Sequence, residues 1–88
     1  MIKEQVYQRL ELLYCVLQFC SQKKQTFSVW HRMAINQERG QLLNNLDYPD
    51  SPLRPVSETL EAKIQTTFKT LLKYNFIPLN NADFNEQP

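Results

Sequence analysis

The chain has one glycine, Gly40, among 88 residues, so a glycine-rich loop that cradles phosphate is excluded from the outset. Its one histidine, His31, cannot form a pair of imidazole ligands. The two cysteines, Cys15 and Cys20, are five apart, and in a helix that separates them by about 7.5 Å along the axis and roughly 140° around it. They cannot bridge each other there, and metal ligands on a helix need i, i+3 or i, i+4 spacing. Neither a metal nor any other cofactor is therefore expected. Charge of one sign is lacking too: ten Lys and Arg stand against nine Asp and Glu, a net charge of +1 that gives no overall field toward nucleic acid or an anionic membrane. The longest apolar run, Leu12 to Leu17, is six residues, where a membrane-spanning helix needs about 20. The opening Met1-Ile2-Lys3-Glu4-Gln5 does not read as a signal peptide, no Asn-x-Ser/Thr sequon occurs, and the cysteines read as reduced thiols, so a cytoplasmic location is expected.

What remains is an ordinary globular composition, 42% apolar and 22% charged, on a chain long enough for one small core. Ile2, Val6, Leu10, Leu13, Leu17 and Cys20 are spaced 4, 4, 3, 4 and 3 apart, with Leu12, Val16 and Phe19 as a second stripe beside them. That pattern predicts a first helix over 2–21. Its centre is apolar around most of the circumference, wider than this chain is expected to shield alone, so association through this helix is expected, either with a second copy or with another protein. Phe27, Trp30, Met33 and Ala34 resume the period after a polar link, with Thr26 or Ser28 as N-cap, and predict a second helix over 27–46, bent or broken at Gly40. Phe27 and Trp30 are placed in the core by that spacing.

Pro49, Pro52 and Pro55 stiffen a loop over 47–56. The loop reads as a rigid connection, with a polyproline ridge for a partner's aromatic groove as the functional alternative. Ser57 caps a third helix over 57–74, in which Leu60, Ile64, Phe68, Leu71 and Leu72 form the apolar face, with Glu58 and Glu61 early and Lys69 and Lys73 late as the helix dipole favours. Asn75 is expected in a left-handed stop with Phe76 behind it, reinforced by Pro78, and residues 80–88 form a tail beyond a single domain over 1–79. The fold expected is all-α, a small three-helix bundle.

The charges fall in blocks: Lys23, Lys24, Arg32 and Arg39 with Glu38 give +3 over 21–46, and Asp47, Asp50, Glu58 and Glu61 with Arg54 give −3 over 47–61. Neighbouring blocks of opposite sign suit attraction within a fold or across a dimer. A catalytic reading would rest on Cys15 or Cys20 with His31, yet both thiols lie in the most apolar stretch, where burial makes a thiol inert. The expectation is a non-catalytic protein-interaction module, a small regulator or inhibitor that occupies a surface of a larger protein, or a homodimer. Tyr7, Leu10, Tyr14, Trp30 and Arg32 are its candidate contact residues. The rival is a small nucleic-acid-binding regulator using Lys23, Lys24, Arg32 and Arg39, with Trp or Phe stacking on unpaired bases.

Overall fold

A computed structural model describes residues 2–23 and 27–75 and contains three helices, α1 (Lys3–Gln22), α2 (Val29–Asp47) and α3 (Glu58–Lys73). The described residues hold no strand, and none of their helices is long and apolar enough to cross a membrane. The all-α three-helix architecture expected from periodicity is the one observed. Lys24, Thr26, Phe76, Pro78 and the tail 80–88 lie outside the described residues.

The central element is α1, which packs against both α2 and α3. Val6, Leu10, Leu13, Cys15, Val16, Phe19 and Cys20 are buried, and Leu12 and Leu17 lean on the same core. At 100° per residue these positions sweep about 220° of the helix surface, an arc too wide for one neighbour and suited to two. This corrects the expectation that the apolar centre of α1 needs a second molecule. Its six-residue run Leu12 to Leu17 is entirely buried or half-buried within the chain itself. The association argument from α1 loses its premise, because both flanks are occupied by α2 and α3.

Ser28 caps α2, its Oγ accepting the His31 backbone N–H at 3.1 Å. The helix continues through Gly40 without a break, although glycine costs about 1 kcal/mol there relative to alanine. Its core line is Ile35, Leu42 and Asn45, with His31, Ala34, Glu38 and Leu46 half-buried beside them. Phe27 is buried as expected, but Trp30 is 77% exposed and Met33 more than half exposed, against the expectation that both face the core. Phe27 precedes the helix, so the helical period cannot be counted forward from it. Counting from Ile35 places Trp30 and Met33 on other sides of the cylinder.

Asn45 explains how the proline loop is held. Its Nδ2 donates to the backbone carbonyls of Pro49 and Ser51, each at 3.2 Å, which satisfies a buried amide and pins the loop to α2. The Arg54 backbone N–H donates to Gln41 Oε1 at 2.7 Å, and Leu53 and Val56 pack against the core. Ser57 then caps α3 by accepting the Leu60 N–H at 3.2 Å. Leu60, Ile64 and Leu71 are buried, Phe68 is half-buried, and Asn75 stands at φ 52, the left-handed stop expected at the end of this helix.

Candidate interaction surface

Two features of the molecule are more than packing: a charged cluster that ties the three helices together and an apolar outer face on α2. The cluster is built on Arg9, which stands near the middle of the buried arc of α1, where a cation has to be matched if it is to be tolerated. Its Nε and Nη2 donate to the two carboxylate oxygens of Glu38 on α2 at 2.6 and 3.0 Å. Its Nη1 and Nη2 donate to those of Glu61 on α3 at 3.0 and 2.6 Å. Arg9 thus grips both neighbours with a planar fork, a geometry lysine could not supply. The Arg9 hydrogen bonds, with help from Gln65 Nε2 at 2.8 Å, hold the Glu61 carboxyl below its ordinary value against the opposing effect of burial. Sequence reading passed over Arg9 and counted Glu38 only as a charge in its block, yet a signal was present: Arg9 sits three residues after Val6 and four before Leu13, a charge within the apolar stripe of α1. A cavity of about 330 Å³ opens beside the cluster, lined by Leu42, Leu53, Arg54 and Pro55. Its two cations and two carboxylates balance, so it presents no net charge to a ligand.

The outer face of α2 is different in kind, because it holds none of the buried core positions among the described residues. Val29, Met33 and Leu43 are each more than half exposed and lie on the side opposite Ile35 and Leu42. Trp30 flanks them, and Trp30, Met33, Ala34, Asn36 and Gln37 line an open groove of about 550 Å³. Scattered apolar side chains on a surface are ordinary, but Val29, Trp30 and Met33, the chain's only tryptophan among them, lie within about one turn and form a patch, with Leu43 about 15 Å further along the same side.

The expected contact residues divide accordingly. Trp30 and Arg32 are both exposed on α2, about 200° apart around the helix, so they flank the Val29–Met33–Leu43 line from its two sides. Tyr7 is exposed on the solvent side of α1, and Tyr14 lies half-buried on that same side. Leu10 is 7% exposed and belongs to the core, so it is withdrawn from the contact set; the two-sided cover of α1 closes over it. Of the basic residues, Lys23 holds its ammonium 6.0 Å from the Tyr74 ring centre and Arg32 is exposed. Arg39 is half-buried, its Nη1 turned back onto Asn36 Oδ1 at 3.4 Å and its Nε buried without a hydrogen-bond partner among the described residues.

The thiols of Cys15 and Cys20 are free and buried. Burial pushes both above the ordinary cysteine value, reinforced at Cys15 by Glu11 and opposed at Cys20 by Lys63. His31 packs edge-on against Phe27 with 6.4 Å between ring centres. Among the described residues no three His, Cys, Asp or Glu side chains gather as a metal site. No family model, curated protein or solved structure matches this chain.

Proposed function

We propose that this chain is a non-catalytic protein-interaction module of the regulator or inhibitor type, acting in the cytoplasm, and that it meets its protein partner through the outer face of α2. One observation carries the reading. The single tryptophan is the most exposed large apolar side chain among the described residues and stands beside Val29 and Met33, on a helix whose opposite side already serves the core. Exposing such a patch costs solubility and gains the fold nothing, whereas tryptophan and arginine flanking an apolar line are the residues that anchor protein interfaces. The balanced charge and the half-buried Arg39, whose Nη1 is engaged by Asn36, favour a protein partner over a nucleic acid. The raised, buried thiols favour binding over catalysis.

The test is site-specific photo-crosslinking in the native cell, with the crosslinker at Gln37 beside the patch and, as control, at the exposed Lys69 on α3. Discrete protein adducts from position 37 that are absent from position 69 are the expected result. Equal adduct patterns from both positions, or none from position 37, overturn the reading. Binding of the purified chain to duplex or single strands at low salt, falling steeply as salt rises, would replace it with the nucleic-acid reading.

A further inference from the structure

The geometry points to a second copy of this chain as an occupant of the α2 face, paired antiparallel along one heptad seam; this rests on the reading of that face as a protein-binding surface. On the outer side of α2, Val29, Met33, Asn36, Gly40, Leu43 and Asp47 follow one another at spacings of 4, 3, 4, 3 and 4. That is the repeat by which two helices keep one line in contact. The line runs the length of α2 and is separate from the core line of Ile35, Leu42 and Asn45.

The residues along the seam select the direction of pairing. A parallel pair sets each residue against its own copy, which confronts Asp47 with Asp47. An antiparallel pair that sets Met33 against Leu43 of the second copy also sets Asn36 against Gly40 and Val29 against Asp47, and the two-fold axis repeats every contact. In that register the two Asp47 carboxylates part, and each comes within a helical turn of Arg32 on the other chain. Arg32 is exposed and flanks the seam, so its guanidinium is available for that pairing. The net charge of +1 leaves little repulsion between copies.

Gly40 is the second, independent observation. It is exposed, its φ is not positive, and a Cβ added there would meet nothing within 4 Å. The fold therefore has no use for the poorest helix former after proline, in mid-helix. At the crossing point of an antiparallel pair a missing side chain lets the two backbones approach, with Asn36 of the second copy seated over it. One contact opposes the pairing: Arg39 lies beside the axis and faces its own copy.

A helix of this length is about 28 Å long, and one such seam sits at the low end of interface sizes, so the expected Kd is on the order of 10–100 µM. Sedimentation equilibrium on the full chain tests it. The wild type is expected to dimerise in that range. Leu43→Arg should abolish dimerisation up to about ten times the wild-type Kd with an unchanged circular dichroism spectrum, since Leu43 is more than half exposed and is not one of the buried core residues. Arg32→Glu and Asp47→Arg should each weaken the dimer about tenfold, and the double swap should restore it to within about threefold. Arg39→Ala should tighten it, the reverse of what a surface arginine clamp would do. A wild type that stays monomeric, or a dimer indifferent to Leu43→Arg and to the swaps, overturns the seam. The crosslinking at Gln37 separates this failure from that of the wider reading. Adducts of twice the 10.5 kDa chain mass report the second copy, and adducts of other mass with a monomeric pure protein leave the docking face standing and the self-pairing refuted.

Discussion

Replacing Arg9 is a perturbation whose effect on the fold can be worked from the geometry of the cluster. Arg9→Met keeps the apolar stem of the side chain against the core of α1 but removes the cation and all four hydrogen bonds to Glu38 and Glu61. Removing one partner of a buried ion pair costs about 3–5 kcal/mol, because the remaining charge is left without compensation. The two carboxylates do not share that cost equally: the Glu38 side chain is 11% exposed and the Glu61 side chain 38%. Water can reclaim Glu61, which brings its share down to the surface-pair range of about 1 kcal/mol or less, while Glu38 keeps most of its penalty. The expected loss is about 2–4 kcal/mol, a large part of the roughly 4–13 kcal/mol that a domain of this length possesses. With an m-value near 1 kcal/mol/M, the urea midpoint at pH 7, followed by far-ultraviolet circular dichroism, should fall by about 2–4 M. Glu38→Gln should cost about 1–2 kcal/mol and Glu61→Gln less than about 1. Because well-packed apolar residues can replace a buried pair without loss, Arg9→Met combined with Glu38→Leu should recover at least half of what Arg9→Met alone loses. An Arg9→Met midpoint within about 0.5 M of wild type, or a Glu61→Gln more damaging than Glu38→Gln, would refute the reasoning.

Acid should weaken the same cluster. Because Arg9 lowers the folded-state value of Glu61, its contribution is complete above the ordinary glutamate value of 4.5 and is lost as pH falls through the lowered folded value, so the urea midpoint should decline more steeply below pH 4.5 in wild type than in Glu61→Gln. Parallel declines would remove Glu61 from the account. Gly40→Ala, measured below the dimerisation range, should stabilise the monomer by about 0.5–1 kcal/mol and raise Tm by about 3–6 °C, since the backbone there is not left-handed and the added methyl meets no neighbour. A lower Tm would mean that α2 is not a regular helix at this point. Cys15 and Cys20 should resist an aromatic disulfide reagent at pH 7 until urea reaches the unfolding transition, because both thiols are buried and shifted upward. Labelling of the folded chain within seconds would reopen the catalytic reading.

How far the sequence carries depends on whether each helix finds its partners close by in the chain or far away. In α3 everything needed is local: Ser57 caps the helix, Glu58 and Glu61 stand at its start and Lys73 at its end, Leu60, Ile64 and Leu71 share one face, and Asn75 takes the left-handed turn that stops it. Its expected bounds are correct to within a residue. In α1 the helix is equally plain, but the breadth of its apolar arc fits a second molecule as well as two flanking helices, and periodicity carries no information on which neighbour covers it. In α2 the pattern misleads. Its core line contains Glu38 and Asn45, which look like surface residues until Arg9, 29 positions away, and the carbonyls of Pro49 and Ser51 are brought to them. Trp30 and Met33 look like core by their spacing from Phe27, yet both prove to be exposed. A helix with two apolar lines must turn one of them inward, and the choice goes to the line whose polar interruptions can be neutralised there. Arg9, an unmatched cation in the apolar stripe of α1, demands a carboxylate on whatever packs against it, and of the two lines on α2 the core line brings Glu38 to it while the outer line carries its only carboxylate, Asp47, at the far end of the helix.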